Sequence, residues 1–193
     1  MRPLVLLGGG GHCNSCIDVI EQEAKFKIVA ILDPALKKGA KIYGYDVVGG
    51  DEKAVDFVSE EVFFLITIGQ VRTAETRIKT FNLLTQLNAK FATIVSPRAY
   101  VSKHAKLGLG TIIMHDALIN AGAYVGNNCI VNTKSLIEHD AHIGNHCHIS
   151  TGSVVNGNVK VLEGAFFGSA AVSKQGVTVE RGGFIKAGSI FKG

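Results

Sequence analysis

The chain has no tryptophan, only three prolines and two methionines in 193 residues, and no apolar stretch near the ~18 residues a membrane-spanning helix needs. It also has no block of like charge. Twenty Lys and Arg against sixteen Asp and Glu leave a net charge of +4, with the basic residues scattered. A membrane span and a basic nucleic-acid-binding surface are therefore not expected. The opening MRPLVLLGGGGH has an apolar run too short for a secretory signal, so a cytoplasmic location is expected. In that setting the four cysteines, Cys13, Cys16, Cys129 and Cys147, are expected to be reduced. Cys13-Asn-Ser-Cys16 has C-x-x-C spacing but neither a second ligand pair nor a thioredoxin context, and reads as two small residues on a helix.

Glycine is abundant, with 23 residues, and 47% of the chain is hydrophobic against 19% charged. A packed domain rich in tight turns fits this better than a helical bundle. The residues divide into two parts, 1–95 and 96–193, with Ser96-Pro97 at the boundary.

In the first part, Pro3 to Leu7 (PLVLL) has the length of a buried strand. Gly8-Gly9-Gly10-Gly11-His12 follows, then a stretch of helical spacing through Ile17, Ile20 and Ala24. The run Lys27 to Leu32 is a second strand, ending at Asp33. Strand, glycine turn, helix, strand and then an acid is the order of a nucleotide-binding βαβ unit. Glycines let backbone N–H groups and the helix N-terminus approach a phosphate, and the acid can accept hydrogen bonds from ribose or base. Gly8, Gly10, Gly11, His12, Asp33 and Gly69 are the candidate nucleotide residues. The run GGGGH is not a G-x-G-x-x-G, so a full dinucleotide is not indicated; a tight turn alone is the bland alternative. Glu61 to Ile68 reads as a third strand, 73–87 as an amphipathic helix, and Ala92 to Val95 as a fourth strand, making half a Rossmann fold.

The second part keeps a six-residue period. Val101, Leu107, Ile113, Ile119, Val125, Val131, Ile137, Ile143, Ile149, Val155, Val161 and Phe167 open a series that runs to Phe191 and is broken only at Ser173. Small residues sit two positions earlier in most cycles, Cys129 and Cys147 among them. A strict hexapeptide period is the mark of a parallel β-helix, with about three hexads closing a triangular coil and residues eighteen apart stacking. Within it, Ser135 to Gly152 holds His139, His142, His146 and His148 beside Glu138 and Asp140. These histidines spread across corners of a coil and match no zinc pattern, so no metal is expected. The remaining readings are ordinary polar surface, favoured for His142 and His146, and catalysis.

The run Ser135-Leu136-Ile137-Glu138-His139-Asp140, then Ile143-Gly144 and His148-Ile149-Ser150, resembles the sugar acyltransferases of the NeuD/PglD type, with Gly8 to His12, Leu32-Asp33 and Ile68-Gly69 as N-terminal marks. The resemblance implies a left-handed β-helix, a homotrimer, a nucleotide-sugar acceptor and acetyl-CoA as acyl donor. It further implies His139 as general base with Asp140 behind it, and His148, Ser169 and Ala187 at the acetyl-CoA site. The expected activity is N-acetylation of a nucleotide-linked 4-amino-sugar. O-acetylation of a sialic-acid-like sugar and non-catalytic nucleotide-sugar binding are the alternatives. The C-terminus, GFIKAGSIFKG, lacks the G-x-P-A segment of many such chains.

Overall fold

The computed structural model describes residues 1–193. The N-terminal part is a six-stranded sheet in the order β3-β4-β2-β1-β5-β6. Its strands are β1 (Arg2–Leu7), β2 (Phe26–Leu32), β3 (Lys41–Ile42), β4 (Tyr45–Gly49), β5 (Phe63–Ile66) and β6 (Lys90–Phe91). All pair in parallel except β3, which forms a hairpin with β4. Helix α1 (Gly11–Glu23) follows β1, and α2 (Glu75–Gln86) follows β5. The β3–β4 hairpin is absent from the sequence reading, because strands this short carry too little period to register.

The expected strand at Ala92 to Val95 is divided in the structure. Lys90–Phe91 closes the first sheet, whereas Ile94–Val95 (β7) pairs with Ile112–Ile113 in the second part. The hand-over thus falls between Phe91 and Ile94, two residues before the expected boundary at 95/96.

From Ile94 the chain makes two-residue strands every six residues. They stack into three parallel sheets of six, six and five strands, each strand pairing with the one eighteen residues on. This is the triangular β-helix that the period demands. Inside it, the aliphatic column and the small residues two before it form one buried core that includes Cys129 and Cys147, both free thiols. Ser173, the break in the series, is buried, and its Oγ accepts a hydrogen bond from Asn156 N at 2.9 Å.

Outside, the three faces differ. The first, which we call the domain face, carries Ile94, Ile112 and Ile130. They pack in one core with Cys13, Cys16 and Ile17 of α1 and Leu4 and Leu6 of β1. The N-terminal sheet is thereby pressed onto this face through α1. The second, the apolar face, carries Tyr100, Leu118, Leu136, Val154, Val172 and Ile190 in register. Its ends are open, with Tyr100 60% and Ile190 71% exposed. The third, the polar face, carries Lys106, Tyr124, His142, Lys160 and Thr178.

Candidate functional site

His139 and Asp140 occupy the corner between the apolar and polar faces. Asp140 adopts φ 58°, the left-handed conformation that turns the chain there, and this brings its carboxylate back onto its neighbour. His139 Nδ1 lies 2.9 Å from Asp140 Oδ2, and both side chains are more than half exposed. A carboxylate can only accept, so Nδ1 carries the proton and Nε2 is left with its lone pair. The backbone N–H of His139 donates to Glu138 Oε2 at 3.1 Å, and Asn120 Nδ2 donates to the same oxygen at 2.8 Å. The turn that presents the imidazole is thus tied from the coil before it. Two glycines that the sequence reading missed shape the corner. A Cβ on Gly157 would come within 2.7 Å of His139 Nε2, and one on Gly122 would strike Asp140 Oδ1. Both lie on the neighbouring coils, at the eighteen-residue spacing or within one residue of it.

The other histidines are dispersed over other parts of the coil. His142 is exposed on the polar face, stacked on Tyr124 with ring centroids 4.7 Å apart, as expected for surface. His146 departs from expectation. It is 7% exposed, with Nδ1 2.9 Å from Asn128 Nδ2 and its ring edge-on to Phe81 of α2. The N-terminal part covers that corner, so a turn residue is buried.

His148 projects outward as the register requires, but it too is covered and only 7% exposed. Its Nδ1 lies 2.6 Å from the carbonyl of Gln70 and so must donate. Nε2 then accepts from Asn132 Nδ2 at 3.0 Å; Asn132 is oriented by Thr133 N donating to its Oδ1. Burial lowers the His148 pKa to about 4, held in check by the Gln70 hydrogen bond and pushed further by Arg77. In this neutral tautomer Nε2 has no proton to give, so the donor at this spot is the Asn132 amide rather than the imidazole. His148 also stands on a different face from His139, and one chain does not bring the two together.

His148 begins a strip. Ser150 Oγ is 2.9 Å from Ser169 Oγ, and Gly188 N donates to Ser169 O at 2.8 Å, which places Ala187 one coil beyond Ser169 at the corner between domain and apolar faces. The three residues expected at the acyl donor therefore lie along one edge of the coil.

The expected nucleotide residues gather at the C-terminal ends of the first sheet's strands. Gly8 has φ 103°, and a Cβ there would lie 2.5 Å from Ile68 Cγ1, so the position excludes side chains. Gly10 caps α1 and Gly11 opens it, with nothing within 4 Å of where their Cβ atoms would be. That leaves the helix N-terminus open to an anion. Asp33 also has a local use. Its Oδ2 accepts from Gly9 N at 2.7 Å and its Oδ1 from Ala35 N at 2.8 Å, so it ties the glycine turn to β2. Gly8, Asp33, Pro34, Asp51, Ile68 and Thr76 line a cavity of about 200 Å³. Asp51, unremarked in the sequence, has a buried Oδ1 with no partner, and its pKa is raised by burial and by Asp33 and Glu52. Gly69 packs against His12. The His12 ring is 6.5 Å from that of His148, its Nε2 is unpartnered, and burial pushes its pKa down to about 3.

Residues 3–82 match the family described as the PglD N-terminal domain, and the β-helix follows that domain directly. Over these residues the chain carries the PglD N-terminal domain, and as a whole it is similar to proteins of the NeuD/PglD type. Across 119 residues it is 31% identical to the UDP-N-acetylbacillosamine N-acetyltransferase of Bacillus subtilis, a match covering 59% of this chain and about half, 52%, of that protein's length. The acetyltransferase domain of PglB from Neisseria gonorrhoeae superposes with a TM-score of 0.92 at 27% identity, covering 100% of this chain and 92% of that one. The same domain in complex with acetyl coenzyme A gives 0.88 at 28%, covering 100% and 94%. PerB from Caulobacter crescentus, in complex with CoA and GDP-perosamine, gives 0.75 at 25%, covering 98% and 93%. These structures share the two-part architecture, an N-terminal sheet followed by the parallel β-helix that the hexapeptide period implied, consistent with the left hand expected from the resemblance.

Proposed function

We propose that this chain transfers an acetyl group from acetyl-CoA to the amine of a nucleotide-linked amino-sugar, working as a homotrimer in the cytoplasm. The observation that carries this reading is the exposed His139–Asp140 pair, with Nδ1 protonated toward the carboxylate and Nε2 free. An amine attacking a thioester must lose a proton as the C–N bond forms and the C–S bond breaks. His139 Nε2 takes that proton, Asp140 stabilises the resulting imidazolium, and the imidazolium then returns the proton to the departing thiolate, so that the coenzyme leaves as its thiol. No covalent enzyme intermediate is needed, which accords with Cys129 and Cys147 being shut inside the coil.

The same geometry supports a trimer. The N-terminal part is clamped on the domain face, so its nucleotide pocket cannot approach the chain's own His139 at the opposite corner. The apolar face lies between that corner and the one that bears Ser169 and Ala187. Seating a second copy on this face brings His139 of one chain toward the His148–Ser169–Ala187 edge of the next, and cyclic closure gives each copy one complete site. Relatives in complex with acetyl coenzyme A, or with CoA and GDP-perosamine, support the donor and acceptor classes. The test is acetyl transfer from labelled acetyl-CoA to a panel of UDP- and GDP-linked amino-sugars. His139→Ala is expected to lower turnover by roughly 10²–10⁴-fold. No transfer to any amine, or near-normal turnover in His139→Ala, sinks the reading.

A further inference from the structure

Arg77 is the largest side chain buried throughout, 1% exposed, and it takes part in none of the ion pairs. A buried cation without an acid is costly unless its protons are otherwise satisfied. Burial lowers its pKa only to about 10, so the guanidinium stays charged. Oxygens from both parts of the chain accept from its two Nη groups, while its Nε is buried without a partner. Nη1 donates to the carbonyls of Ile66 at 3.0 Å and Ile68 at 2.6 Å. Nη2 donates to Asn128 O at 2.9 Å and Asn128 Oδ1 at 2.6 Å. Asn128, itself fully buried and at φ 53°, returns a bond from Nδ2 to Arg77 O at 3.3 Å.

The placement of those oxygens is informative. Ile66 ends β5, and Ile68 walls the nucleotide cavity and presses on Gly8. Two residues later the carbonyl of Gln70 holds His148 Nδ1, while Gln70 Nε2 donates to Gly164 O at 3.1 Å. One planar fork therefore grips the start of the 66–70 segment and a corner of the coil together, and the far end of that segment sets the imidazole of His148. A lysine, with one small ammonium, cannot span both sets of acceptors.

We infer that Arg77 is a positioning residue: with Asn128 it locks the 66–70 segment between the nucleotide cavity and His148, and so fixes the His148 tautomer and the register of the two pockets. The functional part of this inference rests on the acetyltransferase reading; its structural part does not, and the experiment separates them. In the full-length protein, imidazole 15N–1H spectra should show a protected His148 Nδ1–H, assigned by its loss in His148→Gln. That signal should disappear in Arg77→Lys and Asn128→Ala chains that remain folded, and persist in Asn128→Asp, which keeps the Oδ1 acceptor. Turnover with the amino-sugar acceptor should fall about 10–100-fold in Arg77→Lys and Asn128→Ala, with KM for acetyl-CoA shifting less than about threefold, as for a misplaced but intact site. A His148 signal unchanged in Asn128→Ala overturns the inference even if the protein proves to have another activity. An unchanged kcat in a variant that has lost the signal overturns the functional part. If Arg77→Lys does not fold, Asn128→Ala alone decides.

Discussion

Gly157 lies directly beneath the imidazole of His139, one coil along, where a Cβ would stand 2.7 Å from Nε2 and 2.8 Å from Cε1. The glycine is not there for its backbone angle, since it is not in the left-handed region. It keeps open the space in front of the nitrogen that would take the proton. Gly157→Ala should therefore lower turnover by about 10–100-fold through displacement of a general base. Combined with His139→Ala it should cost little beyond His139→Ala alone, because both changes act on one group. Steady-state kinetics on the two single variants and the double variant check this; additive losses would separate the glycine from the imidazole.

Much of this corner was legible in the sequence and much of the domain face was not, for a physical reason. A six-residue register states which way a side chain leaves the coil, so Ile137, Ile143 and Cys147 could be assigned inward and His139 to a turn. It does not state what covers a face. His146 and His148 are buried by residues more than sixty positions away, Phe81 and Gln70, and no local pattern reports such contacts. Gly157 could have been found by adding eighteen to His139. Asp33 was readable as an acid ending a strand, but its two backbone hydrogen bonds depend on how Gly9 and Ala35 turn.

Asp51 should govern nucleotide binding. Its buried Oδ1 lacks a partner in a cavity otherwise walled by Gly8, Asp33, Pro34, Ile68 and Thr76. A ligand hydroxyl or N–H donor would satisfy it, and a hydrogen bond to a charged group contributes about 1.5–3 kcal/mol. Asp51→Asn should thus weaken UDP or GDP binding, whichever the wild type prefers, by about tenfold or more in calorimetry. Because burial and the Asp33 and Glu52 charges disfavour the ionised carboxylate, the same change should raise the melting temperature. Unaltered affinity would place the nucleotide elsewhere.

Stability should fall with acid in a window set by buried histidines. His12 and His148 are held down to about 3 and about 4 from 6.5. Below pH 6.5 the unfolded chain binds protons at these rings and the folded chain does not, so stability declines as pH drops toward about 4. Each unit of depression corresponds to about 1.4 kcal/mol. Urea melts between pH 7.5 and 4.5 should show this slope, and His148→Gln should flatten it. An equal slope in that variant would assign the acid sensitivity to other groups.

The apolar face should hold copies of the chain together. Leu136 and Val154 sit in its middle, on the coil that bears His139 and the next one. Leu136→Glu places a charge in the proposed interface and should convert the trimer to monomers in sedimentation velocity, with activity lost although His139 is intact. A monomeric wild type, or an active monomeric variant, would contradict the shared-site arrangement.

The strongest check on that arrangement uses two inactive chains at once. His139→Ala lacks the proposed base, and a variant disabled at the His148 edge, such as Ser169→Trp, should block the proposed donor strip without touching His139. If each site takes His139 from one copy and the strip from its neighbour, co-expressed chains that assort at random restore one good site in about four. The mixture should recover about a quarter of wild-type turnover, while each variant alone stays near zero. If both groups instead belonged to one chain, every site in the mixture would carry a defect and no activity would return. Recovery is expected because His139 stands at the corner opposite the domain face that carries His148, and the domain clamped over His148 cannot reach around the coil.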